Sequence, residues 1–190
     1  MSDYFSNFPK INYNGDVVRN IMLRVKILES VGNDPYAYLP YTVKENERPE
    51  DIAYYYYGST EYIWLVMLSN KMIDPYFEWP LSENELFRSI AKKYRSRALA
   101  DMNQTYLSDI EVFHWTMNDS RTANIEYYQM GDLKMSPDTY RLNIVPLDGW
   151  EPIRIYDEEV SRNEDMRNIQ LLNNTYLKIA DANIKRLLSE

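Results

Sequence analysis

The sequence predicts an α+β fold: a strand-helix-helix core, a long following helix, a small antiparallel β element and C-terminal helices, preceded by an extended N-terminal arm. Three observations lead there. Helix-start signals crowd residues 48–85, the apolar period shortens toward two between residues 105 and 157, and a helical stripe returns after residue 173. The expected divisions are an arm at 1–40, the core at 41–82, the helix and β element at 83–157, and the C-terminal helices at 158–190, all within one structural unit.

In the arm, most apolar residues fall in one block, VVRNIMLRVKIL at 17–28, where Leu23, Val25 and Ile27 alternate with basic residues. Its flanks, YFSNFPKINYNGD and SVGNDPYAYLP, carry the Pro, Gly and Asn of irregular chain. Residues 41–44, YTVK, read as a short strand. A helix then starts at Arg48, with Pro49 in its first turn and Glu50 and Asp51 beside the positive end of its dipole; it stops at Gly58. Ser59 or Thr60 caps a second helix running to about Asn70, and Asp74-Pro75 marks a loop. Ser82 and Glu85 form a capping box for a third helix, whose Leu86, Ile90, Tyr94 and Ala98 make one apolar stripe.

Strands are expected at 110–115 and 125–128 around the polar turn 118–121, at 140–145, and at 152–156 after Asp148-Gly149. Helix resumes from Glu159 and breaks at Asn173-Asn174-Thr175. Beyond that break Leu177, Ala180, Ile184, Leu187 and Leu188 form a helical stripe.

Composition narrows the function. The chain of 190 residues has a net charge of −8 and no basic run longer than Lys92-Lys93, which argues against nucleic-acid binding. It has no cysteine, hence no disulfide, thiol nucleophile or cysteine-based zinc site. The longest apolar run, YIWLVML at 62–68, is far short of the roughly 20 residues that cross a bilayer, and the start MSDYFSNFPKINYNG lacks the pattern of a signal peptide, so neither a membrane nor general secretion is expected. His114, the single histidine, reads as a strand residue facing solvent or a neighbour, and no GxSxG, HExxH, P-loop or glycine-rich dinucleotide turn occurs. Glu45, Glu47, Glu50 and Asp51, and likewise Asp157, Glu158 and Glu159, sit at helix starts, where the dipole favours carboxylates. No catalytic residue, metal or cofactor is expected, and no enzyme.

The segment YTVKENERPEDIAYYYYGSTEYIWLVMLSNKMIDPYFEWPLS is similar to a LysM module in order and length, with Tyr41-Thr42-Val43, Ile52-Ala53, Tyr57-Gly58 and Asn70 in corresponding places. It departs at Asn46-Glu47-Arg48-Pro49, where that family has Gly-Asp-Thr-Leu, and no closing strand follows Asn70. The chain resembles more closely the baseplate wedge subunits of contractile-tailed bacteriophages, which have a LysM-like core. The matching residues are Arg48, Pro49, Glu50, Ile52, Ala53, Tyr57, Gly58, Tyr62, Trp64, Asn70, Asp74, Pro75, Tyr76 and Trp79, then Asn163, Glu164, Arg167, Ile169, Leu171 and Leu172.

That resemblance implies a virion structural protein in the tail baseplate, made in the host cytoplasm, that clamps other wedge proteins and neighbouring wedges together. The alternative is a LysM-like module binding peptidoglycan. On the clamp reading, Ile52, Tyr56, Trp64 and Leu68 form core, with Tyr55 at a margin. Tyr54 and Tyr57 are the expected docking pair, and Arg48, Tyr62, Asp74, Tyr76, Trp79, Arg167, Leu177 and Leu188 complete the protein interface.

Overall fold

Two compact units divide the chain: Met1–Trp79 with Arg167–Glu190, and Pro80–Met166. The computed structural model describes residues 8–20, 34, 36–142 and 148–189, without the side chains of 184 and 187–189. Residues 80–166 thus interrupt the first unit, whereas the sequence reading divides the chain at 40, 82 and 157.

The first unit begins with a hairpin of β1 (Lys10–Tyr13) and β2 (Asp16–Arg19). Asn14 and Gly15 both take positive φ, 53° and 92°, as the tight turn of a two-residue hairpin requires. Irregular chain was the expectation for the flank that holds β1 and the turn. Of the block at 17–28, residues 17–19 belong to β2 and 21–28 lie outside the described residues.

Next, β3 (Tyr38–Thr42) pairs antiparallel with a strand from the far end of the sequence, β7 (Asn168–Leu172). The expectation of a helix from Glu159 to Asn173 fails over this stretch, because Ile169, Leu171 and Leu172 bury against the β3 side of the unit. Three helices follow β3. The first, α1 (Pro49–Tyr57), ends at Gly58 in the left-handed region with φ 82°. After it, α2 (Ile63–Ser69) is entered through a 3-10 turn at Thr60–Tyr62 capped by Ser59, and α3 (Pro75–Glu78) is capped by Asp74 where a loop was expected. The closing helix, α8 (Leu177–Ser189), follows a 3-10 turn capped by Asn173. Ala37, Val43, Ile52, Ala53, Tyr57, Leu65, Val66, Ile169, Leu171, Leu172 and Ala180 make the core of this unit.

The second unit opens with α4 (Glu83–Met102), which has the expected Ser82–Glu85 capping box and buries Ile90, Tyr94 and Ala98. Residues 110–115 are not a strand. They lie in α5 (Asp109–Met117), started by a second capping box of Ser108 and Glu111. The apparent alternation is overridden by Val112, Trp115 and Thr116, which share one buried helical face and leave His114 exposed.

A three-stranded antiparallel sheet follows, in the order β5 (Leu133–Met135), β4 (Ile125–Met130), β6 (Glu151–Arg154). The strand expected at 140–145 is replaced at its start by α6 (Pro137–Leu142); Ser136 accepts from the Thr139 N–H, and Pro137 suits the first turn. Residues 143–147 lie outside the described residues. The strand expected at 152–156 ends at Arg154, where α7 (Ile155–Met166) begins. Ile90, Ala91, Tyr94, Ala98, Leu107, Val112, Trp115 and Ile155 form the second core.

Candidate protein interface

The first unit gathers most of the sequence-selected residues around its long-range strand pair. In the β3–β7 ladder, Val43 N–H donates to Arg167 O and Asn173 N–H to Ala37 O, so the odd-numbered residues of β3 face β7. Gln170 and Leu172 therefore turn their backbone groups away from β3. Both are met by side chains. Asn70 spans the Gln170 peptide groups, its Nδ2 donating to Gln170 O at 2.9 Å and its Oδ1 accepting from Gln170 N at 2.7 Å. The Tyr57 hydroxyl donates to Leu172 O at 3.0 Å. On the other strand, the position opposite Gln170 is Pro40, which has no N–H to leave unpaired at that edge.

This geometry reverses the expected roles of two tyrosines. Tyr57 is buried, not a docking residue, because it closes the β7 edge; burial pushes its hydroxyl pKa well above the usual range, with the neighbouring Tyr56 adding to the shift. Tyr56 is only half-buried, and its carbonyl accepts from Asn174. The exposed members of the run are Tyr54 at 58% and Tyr55 at 79%, their rings edge-to-face at 5.8 Å.

A second knot holds the loop after β3. Tyr41 Oη donates to Glu47 at 2.7 Å, Lys44 N–H donates to the other Glu47 oxygen, and Trp79 Nε1 donates to Glu47 O at 3.0 Å. Burial, then the hydrogen bond to Glu47 and its charge, push Tyr41 up to about 12. Arg167 reaches the same loop, pairing with Glu45 at 2.6 Å and donating to Val43 O at 3.4 Å. Asp74 caps α3 by accepting from Tyr76 N–H. Arg48 is exposed; Tyr62, Trp64 and Leu177 are half-buried against the core, and Leu68 is half-buried. Ile52 lies in the core, while the side chain of Leu188 is outside the described residues.

Sequence reasoning passed over Ile73 and Phe77. With Tyr76 they project from the α3 segment at 74%, 79% and 88% exposure. Tyr76 and Phe77 are neighbours on a four-residue helix, which has too little surface to bury both, and Ile73 precedes its cap. Among the described residues no group of three or more His, Cys, Asp or Glu is placed to hold a metal ion, and no helix is long and apolar enough to cross a membrane.

The two polar hollows described, of about 410 Å³ beside Arg97, Glu126 and Arg141 and about 530 Å³ beside Tyr127, Lys134 and Glu158, lie in the second unit. Several of their charged groups already pair within the unit. Arg97 binds Glu126 and the carbonyls of Ala123 and Ile125, and Lys134 donates to Tyr127, whose hydroxyl donates to Glu158.

Comparison with known proteins bears on these surfaces. The sequence model of the base plate wedge protein 53 family matches residues 4–184. The baseplate wedge protein gp53 of Enterobacteria phage T4 is 23% identical over 145 residues, covering 72% of this chain and 66% of that protein, slightly under two thirds of its length.

Proposed function

The chain belongs to the base plate wedge protein 53 family, and on that premise we propose that it clamps wedge subunits and adjacent wedges together as the phage baseplate assembles. The observation that carries the reading is the contrast within the first unit. Its core is closed and the buried Tyr57 hydroxyl is paired with Leu172 O, yet Tyr54, Tyr55, Ile73, Tyr76 and Phe77 stay uncovered. Aromatic side chains of this kind give large contact area at little entropic cost, and they dominate binding energy when a partner desolvates them. The partners are other baseplate wedge proteins of the same virion, met in the host cytoplasm during assembly and retained in the tail baseplate.

The peptidoglycan-binding alternative has a weaker basis. A LysM-like strand-helix-helix-strand arrangement can be drawn from β3, α1, α2 and β7, the closing strand coming from residues 168–172. The groups that would hold a sugar acetamide are already engaged: the amide of Asn70 on Gln170, the Asp74 carboxylate on α3, and the Trp79 indole on Glu47.

Co-purification of the full chain with the other wedge proteins of its phage tests the clamp. Tyr76→Ala with Phe77→Ala is expected to weaken assembly by about 2 kcal/mol or more, roughly 30-fold, while leaving the thermal midpoint of the isolated chain in place. Retention of chitin or peptidoglycan oligomers, with no wedge association, would overturn it in favour of the saccharide module.

A further inference from the structure

The two crossings between the units are tied on both sides. In the second unit Asn163 is buried at 5% exposure, and its amide grips the Leu81 backbone reciprocally: Nδ2 donates to Leu81 O at 3.0 Å and Oδ1 accepts from Leu81 N at 2.7 Å. This clasp joins positions 82 apart, within one and three residues of the ends of the second unit at Pro80 and Met166. In the first unit, the residues immediately outside those points, Trp79 and Arg167, both bind the loop after β3, at Glu47 and at Val43 and Glu45. Among the described residues, the buried core of the second unit is drawn from residues 90–155.

We infer that the second unit is a folding template: it forms first, and its Asn163–Leu81 clasp delivers β7 to β3. Closing the first unit without it means pairing Val43 with Arg167 across 124 positions of flexible chain. Once the clasp has formed, 82 of those positions collapse to a single step. Because closure probability falls as about the 3/2 power of loop length, β3–β7 pairing then becomes about fivefold more probable. The first unit cannot substitute for this route, since the edge of β7 that α1 and α2 cover through Tyr57 and Asn70 does not exist until residues 168–172 arrive. Among the described residues the second unit takes no strand from outside itself, since β4, β5 and β6 pair with one another.

Pulse-labelled hydrogen exchange during refolding of the full chain tests the order. The amides of α4, β4 and β6 are expected to gain protection before those of β3 and β7. Asn163→Ala should lengthen the delay at β3 and β7 relative to the second unit by about 1.6-fold, because Glu159 still meets Lys93 and Tyr94 when the clasp is gone. Asn70→Ala, which removes a grip on β7 without touching the clasp, should leave the order unchanged. Should Asn163→Ala fail to refold, the wild-type order alone decides. Protection of β3 and β7 together with, or ahead of, the second unit overturns the template, as does an Asn163→Ala delay that is equal in both units.

Discussion

The two units weight neutral and charged contacts differently. The first closes the outer edge of its long-range strand β7 on neutral side chains, Tyr57 on Leu172 and Asn70 on Gln170, and keeps ion pairs at Arg167–Glu45 and Lys185–Asp181. The second ties its surface with charge, in Lys93–Glu159 at 2.5 Å, Arg97–Glu126 at 2.8 Å, Arg121–Asp101 at 3.1 Å and Arg154–Asp119 at 2.8 Å. Exposed aromatics divide unequally as well. Among the described residues, Tyr13, Tyr36, Tyr54, Tyr55, Tyr76 and Phe77 are exposed in the first unit, against Tyr106 in the second. A surface laced with ion pairs is already satisfied by its own chain, whereas uncovered rings gain by being desolvated against another. The difference supports the proposal that the first unit carries the partner-facing surface.

The strongest way to break that division is to remove the second unit's core. Trp115 is 3% exposed, and its Nε1 donates to Asp101 at 2.8 Å, an acid that also pairs with Arg121. Trp115→Ala should cost about 3–5 kcal/mol in urea unfolding followed by circular dichroism. A loss below about 1 kcal/mol would mean that this cluster does not hold the unit together.

A smaller effect sharpens the contrast inside the tyrosine run. Tyr57→Phe keeps the ring but strands the Leu172 carbonyl, at a cost of about 1–3 kcal/mol. Tyr54→Ala and Tyr55→Ala, at exposed positions, should each shift stability by no more than about 0.5 kcal/mol. Equal losses at all three would make the exposed pair part of the core and remove the basis for a docking surface.

That run also shows how far the sequence could be read. Periodicity put Ile52 inward, and it is buried. Periodicity also put Tyr56 inward and Tyr57 outward, the reverse of the structure, because the choice depends on a carbonyl 115 positions away. The same distance hid β7, whose partner strand precedes it by more than a hundred residues, so its few apolar residues read as a continuation of α7. Other misses were local and avoidable. Ser108 and Glu111 carry the same capping-box spacing that correctly marked α4 at Ser82 and Glu85, but the alternation of residues 110–115 was given more weight. Asn14-Gly15 between short apolar runs was likewise a hairpin signal. For the surface, Tyr54 and Tyr76 could be picked out by residue type, while Tyr55, Ile73 and Phe77 emerged only once the helices had a buried side.

The smallest expected effect is alkaline. Tyr41 is pushed up to about 12, by burial first and then by its hydrogen bond to Glu47 and the charge of that carboxylate. In the unfolded chain the same hydroxyl titrates near the ordinary value of about 10. The folded state therefore binds the proton more tightly, and stability must fall with pH between the two values. The contribution is complete below about pH 10 and is lost as pH rises through about 12. Tyr57 and Tyr94 are raised too and erode stability in the same direction, so the parent protein alone cannot isolate Tyr41. Comparison with Tyr41→Phe can, since both proteins keep the other two hydroxyls. The urea midpoints of the two should differ most near pH 9 and converge as pH climbs toward 12. A gap that stays constant over that range would show that the Tyr41–Glu47 contact does not hold the loop after β3, leaving Trp79 and Arg167 as its anchors.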